Sequence, residues 1–233
     1  HFRGGSYLGI SRANPTTDDG VHVINMSLGT SQRTDIFDTI AHLASCAFPE
    51  VPDPLEPEND ISDPGYNADK ERCKISRGAV LVGAAGNDAS RRREFPAGEG
   101  AYGLISVTAS QQNQRLAAFS NFGSWVHLAA PGDAVTSSVP GVCADANGTG
   151  CYGTWSGTSM AAPWVAASAS LLLSHNPGLT PVDIVNRLTR VTSQLRATDI
   201  REIDPLAALQ QAVPAPDRLR SNPNSPRRPW RRR

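Results

Sequence analysis

The run from Gly157 to Leu173 constrains this chain more than any other. Gly157-Thr158-Ser159-Met160-Ala161-Ala162-Pro163 leads straight into Trp164-Val165-Ala166-Ala167-Ser168-Ala169-Ser170-Leu171-Leu172-Leu173. A helix of this composition is apolar or small on every face, and such a helix belongs in the core of a large domain. At 233 residues the chain is long enough to build one. The run is too short, and too rich in alanine and serine, to be a transmembrane span. Ser159 stands at the mouth of the helix, where unpaired N–H groups and the positive end of the dipole favour negative charge. Two readings stay open here: a helix N-cap, or a nucleophile whose oxyanion would form beside those N–H groups.

The rest of the chain alternates strands and helices. Val21–Met26, Val80–Ala84, Leu104–Thr108 and Val126–Ala129 are short, β-branched or apolar runs, several closed by Gly or Asn, as in the strands of a parallel sheet. A helix is expected from Thr34 to about Ala47, with Ile36, Phe37, Ile40, Leu43 and Ala44 at helical spacing. A short helix is expected near Tyr7–Arg12, and a hairpin around residues 143–151. Thr180-Pro181-Val182-Asp183 sets a cap, an N1 proline and an acidic N3 residue in order, opening a helix to about Val191. A last helix is expected near Pro205–Gln211. This alternation predicts an α/β fold with helices on both faces of a parallel sheet.

Three segments give that fold a more specific cast. Ser27-Leu28-Gly29 follows the first strand, Ala84-Ala85-Gly86-Asn87 closes the second, and Gly157-Thr158-Ser159-Met160-Ala161 opens the apolar helix. In this order they resemble the subtilisin-like serine proteases. Phe95-Pro96-Ala97, Phe119-Ser120-Asn121-Phe122-Gly123 and Ala129-Ala130-Pro131-Gly132 also fall where that family has them, and the resemblance runs from about Gly5 to Val213. It implies a subtilisin-like sheet and an acyl-enzyme mechanism with Ser159 as nucleophile. Asn87, by itself an ordinary turn residue, would be the side-chain donor to the oxyanion. Ser27, Leu28 and Gly29 would pair with an extended polypeptide substrate. Ala84, Ala85 and Gly86 would line the pocket for the residue before the cut, with room for a large apolar side chain. The resemblance further implies a cis Phe95–Pro96 bond.

The catalytic histidine of the family lies in a His-Gly-Thr-His segment ahead of the Ser-Leu-Gly strand. Only 26 residues precede Ser27, and none forms that segment. His1, His22, His42, His127 and His175 each lack the context. The simplest expectation is therefore the C-terminal part of a catalytic domain, with Asp and His supplied from upstream, inactive on its own. An alternative is a non-catalytic subtilase-like module that binds peptides along Ser27–Gly29. A hydrolase of the Gly-x-Ser-x-Gly type is excluded, because Ser159 sits in Gly-Thr-Ser-Met-Ala.

Charge and cysteines complete the expectations. The formal net charge is zero, which argues against a nucleic-acid partner. Residues 1–213 form the partial catalytic domain, interrupted by an acidic insertion at about 49–72. Residues 214–233 hold seven arginines and five prolines, too polar to bury, and read as a disordered linker rather than a nucleic-acid contact. Cys46 and Cys73 bracket the insertion, and Cys143 and Cys151 bracket a Gly-rich loop. Two local disulfides are expected, with a secreted or otherwise extracytoplasmic location. No Cys-x-x-Cys spacing suggests a metal site, no cofactor is required, and any structural calcium is unreadable.

Overall fold

Val80-Leu81-Val82-Gly83-Ala84 has no polar side chain, and a strand of that kind is stable only with both faces covered. It lies inside a six-stranded sheet. The computed structural model describes residues 21–34, 37, 44–46, 78–100, 103–139 and 151–211. Within them the strands are β1 (Val23–Met26), β2 (Val80–Ala84), β3 (Leu104–Ser110) and β4 (Leu128–Pro131), then β5 (Val135–Ser138), β6 (Tyr152–Trp155), β7 (Thr192–Gln194) and β8 (Arg201–Ile203). The large sheet has the order β1-β2-β3-β4-β8-β7. It is parallel from β1 through β8, and only β7 runs antiparallel, on β8. β5 and β6 form a separate antiparallel hairpin.

Side chains alternate across the strands and divide the core in two. Val80, Val82, Ala84, Ile105, Val107, Leu128 and Ala130 face helix α1 (Thr158–His175). Leu81 and Leu104 face the other way, against Ala44, with Ile24 and Met26 partly buried beside them. Phe37, Ala44 and Ser45 are helical, as the 34–47 periodicity predicts. Helical residues therefore lie against both faces of the sheet among the described residues. Helix α2 (Pro181–Arg190) opens with a complete capping box, Thr180 accepting from the Asp183 N–H while Asp183 takes the Thr180 N–H. Helix α3 (Pro205–Gln210) is capped by Asp204.

α1 departs from expectation on one side. Its inner stripe of Ala161, Val165, Ala169 and Leu172 is sealed. Each large side chain there contributes about 1.5–3 kcal/mol by leaving water. On the outer stripe Trp164 and Leu171 are 51% and 53% exposed, so among the described residues the helix is covered on one face, not all round. β1 likewise has a strand neighbour on one side only among the described residues. The expected Tyr7–Arg12 helix, the acidic insertion and the arginine-rich tail lie outside the described residues.

Candidate active site

β1 and β2 are parallel and in register, with Met26 opposite Gly83, so the loops that follow them leave the same edge of the sheet. Ligands of open parallel sheets bind at that carboxyl edge. The mouth of α1 meets both loops. From the first, Ser27 Oγ donates to the Ser159 carbonyl at 2.9 Å, and Ser159 Oγ donates to the Ser27 carbonyl at 3.3 Å. From the second, Asn87 Oδ1 accepts the Thr158 N–H at 2.8 Å and the Thr158 hydroxyl at 3.1 Å. The Gly86 N–H in turn donates to Thr158 Oγ1 at 3.1 Å. Ser27 and Asn87, 132 and 72 positions from Ser159 along the chain, are thus brought to one place with it.

Ser159 is not the helix cap. That position is held by Gly157, which makes no side-chain cap bond, and Ser159 follows inside the first turn. Its backbone N–H has no acceptor among the described residues, as befits an early helical position. Asn87 spends its carbonyl oxygen on Thr158, which orients the amide and leaves Nδ2 as an unspent donor. A Cβ built on Gly157 would lie 3.6 Å from that Nδ2. Two free donors, Asn87 Nδ2 and the Ser159 N–H, therefore flank the same helix mouth.

The neighbouring chain is held firmly. Gly157 N–H donates to Gly132 O at 2.8 Å, and Ser156 Oγ donates to Asp133 at 2.7 Å. Gln111 Nε2 donates to the other Asp133 oxygen, and these bonds, Gln111 first, hold the carboxyl below its ordinary range. Asn121, assigned no role by the sequence, is fully buried and fastens the 85–90 loop. It accepts from the Asp88 and Ser90 N–H groups and donates to Ala85 O. Its only signal in the sequence is membership of the Phe119–Gly123 segment.

The remaining sequence assignments are placed unevenly. Ser27, Leu28 and Gly29 are exposed and continue to Thr30, whose backbone bridges that of Phe95 with bonds of 2.9 and 2.8 Å. Ala84 and Ala85 are 4% and 0% exposed, since both are enclosed by the core and the Asn121 clamp. Gly86 alone of that trio presents surface. The Phe95–Pro96 bond is cis. Cys46 and Cys151 are disulfide-bonded, while Cys73 and Cys143 lie outside the described residues.

Among the described residues no histidine contacts Ser159. His127 presents surface to solvent, yet its Nδ1 accepts from the Ser106 N–H at 3.0 Å and lies 2.7 Å from Ser106 Oγ. An accepting Nδ1 needs an unprotonated ring, in keeping with a pKa pulled to about 4 by desolvation and then by Arg93. No group of three or more His, Cys, Asp or Glu side chains converges among the described residues, and no helix among them is long and apolar enough to cross a membrane.

Comparison with known proteins identifies the family and the fold. The profile of the Subtilase family matches residues 4–214. Alkaline elastase YaB of Bacillus sp. (strain YaB) is 30% identical over 195 residues, covering 83% of this chain and 41% of that protein. Subtilisin BL of Lederbergia lenta is 28% identical over 183 residues, covering 78% and 53%. Among solved structures, a protease from Pseudoalteromonas arctica PAMC 21717 superposes with a TM-score of 0.56 at 25% identity, over 87% of this chain and 54% of that one. A cold-adapted subtilisin-like serine proteinase gives 0.51 at 25% identity, over 81% and 55%. The chain spans about half the length of the relatives it matches.

Proposed function

The chain belongs to the subtilase family, and on that premise we propose that it carries the nucleophile half of a subtilisin-type serine endopeptidase. The observation that carries this reading is the pair of unspent donors, Asn87 Nδ2 and the Ser159 N–H, beside a serine hydroxyl at a helix mouth. Ser159 Oγ attacks the scissile carbonyl of an extended polypeptide. A histidine outside the described residues accepts its proton and later returns it to the leaving amine. The two donors hold the oxyanion as it forms. Ser27–Gly29 pairs with the substrate backbone as an added strand. No cofactor is needed for these steps.

The compartment belongs to the same proposal. Disulfide bonds at Cys46 and Cys151 support an oxidising, extracytoplasmic location, with Cys46 paired to Cys73 and Cys143 to Cys151. The partners proposed are the polypeptide substrate and the upstream part of the same catalytic domain, with no nucleic acid.

The test uses the intact protein, a chromogenic peptide and an organophosphonate probe. Turnover and labelling that are both abolished by Ser159→Ala are expected. Peptide binding without turnover, unchanged by Ser159→Ala, would establish the peptide-binding module instead.

A further inference from the structure

Asp133 closes a clasp on the segment that leads into Ser159. Ser156 Oγ donates to Asp133 Oδ1 at 2.7 Å and accepts the Ala134 N–H at 2.9 Å, so one hydroxyl takes hold of two consecutive residues. Gln111 Nε2 donates to Asp133 Oδ2 at 2.7 Å. Gln111 is itself fixed by the turn after β3, its N–H on Arg115 O at 2.8 Å and its carbonyl taking the Gln114 N–H at 3.0 Å. The carboxylate thus ties the end of a central strand to Ser156, three residues before Ser159.

The turn so clasped is strained. Ala134 has φ +54°, in the left-handed region that residues with a Cβ disfavour. Such a conformation persists where its surroundings over-determine it, and it gathers at functional sites. Beside the turn the packing leaves no room. Gly132 O accepts the Gly157 N–H at 2.8 Å, and a Cβ built on Gly132 would stand 2.8 Å from Gly157 O and 3.0 Å from Ala161 Cβ. Gly157 O in turn takes the first N–H groups of α1, those of Met160 and Ala161, at 3.0 and 3.3 Å. A shift of residues 132–134 is therefore passed to Gly157 and on to the first turn of α1, where the Ser159 N–H and hydroxyl stand. Ser27, Leu28 and Gly29 belong to another loop and make no hydrogen bond to residues 132–134 among the described residues.

We propose that Asp133 is a positioning residue of the reaction, aiming the Ser159 N–H and hydroxyl through Ser156 and Gly157 without touching the substrate. This rests on the subtilisin-type reading above and adds to it a residue that sets kcat and leaves KM to the Ser27–Gly29 strand.

The test measures kcat and KM of the intact protein on a chromogenic peptide, with the denaturation midpoint of each variant beside them. Asp133→Ala and Ser156→Ala both open the clasp. Each should lower kcat about ten- to a hundredfold, as a small misplacement of reacting groups does, with KM changed less than about threefold. The double variant should lose no more than the worse single one, since both changes break the same contact. Asp133→Asn keeps an acceptor for Ser156, and the Gln111 amide can turn over to accept from the new amide group. It should recover kcat to within about fivefold of the parent, the difference between a charged and a neutral acceptor. Ser156 is exposed, so Ser156→Ala carries the test by itself where Asp133→Ala does not fold. An unchanged kcat with a lowered midpoint makes the clasp merely structural and overturns the proposal. A rise in KM at constant kcat, or additive losses in the double variant, also overturns it, and each leaves the protease reading intact. Absence of both turnover and Ser159 labelling in the unaltered protein overturns the protease reading, and this one with it.

Discussion

Ser27 and Ser159 hold each other by reciprocal bonds, each hydroxyl on the other's backbone carbonyl, at 2.9 and 3.3 Å. The reason the Ser159 carbonyl is available lies four residues on. An α-helical carbonyl normally accepts from the N–H of residue i+4, and here that residue is Pro163, which has none. A proline inside the helix thus leaves an acceptor at the helix mouth, and the Ser27 hydroxyl uses it.

Ser27→Ala should therefore cost about 0.5–1.5 kcal/mol, the usual worth of one hydrogen bond. In a Pro163→Ala background the new alanine would offer the missing N–H, and the same change should cost clearly less. Urea denaturation of the four proteins gives the coupling. Equal costs in both backgrounds would show that Pro163 does not govern the contact.

If Asn87 is the oxyanion donor proposed above, Asn87→Ala should lower kcat by about 10²–10³ with little change in KM, because that donor would act on charge present only in the transition state. That magnitude comes from a subtilisin and is taken over as such. The same change also removes the acceptor for the Thr158 N–H, so a stability measurement must accompany the kinetics. A KM effect alone would assign Asn87 to substrate binding.

The strands and the main helices were legible because their signals are local. Val80–Ala84 is apolar throughout, and the Thr180–Asp183 order places a capping box without reference to the rest of the fold. β7 and β8 were not legible. They are three residues each and largely polar, and their existence depends on pairing with each other and with β4, secured by a Ser110–Glu202 contact from a distant strand. Ser159, Asn87 and Ser27 could be read from their segments. The approach of the Glu94 side chain to Gly29 could not, because nothing near either residue in sequence signals a contact across 65 positions. The outer face of α1 was misread because composition records that Trp164 and Leu171 are apolar and not what lies against them.

Gly86→Ala should destabilise the fold by about 1–3 kcal/mol, the usual cost of a disfavoured backbone conformation. Gly86 has φ +99°, and a Cβ there would also collide with Asn121 Nδ2. Asn121 cannot yield cheaply, since that nitrogen is bound to Ala85 O. A denaturation midpoint unchanged from the parent would show that the 85–90 loop relaxes freely.

His127 gives the fold an acid-sensitive contact. Its folded pKa, about 4, lies below the ordinary value near 6.5. The unfolded chain therefore binds more protons between those values, and stability falls as pH drops from about 6.5 towards 4. His127→Asn keeps an acceptor for the Ser106 N–H and cannot titrate. Its denaturation midpoint should change less between pH 7 and pH 5 than that of the parent. Equal changes in both proteins would trace the sensitivity to other groups.

The 233 residues by themselves should not turn over peptides. Ser159 Oγ donates to a backbone carbonyl, an acceptor too weakly basic to take a proton, and no histidine contacts it among the described residues. A serine hydroxyl without a base is a poor nucleophile at neutral pH. In subtilisin, loss of the histidine alone costs about 2 × 10⁶ in turnover, as much as loss of the whole triad, and what remains is owed to the oxyanion hole and binding. The isolated chain should thus show hydrolysis near the detection limit and slow labelling by an organophosphonate, whereas the same chain within the intact protein should be labelled rapidly. The assay is a chromogenic peptide on purified residues 1–233 beside their Ser159→Ala variant. Turnover by the first and not the second would place a working base within these residues.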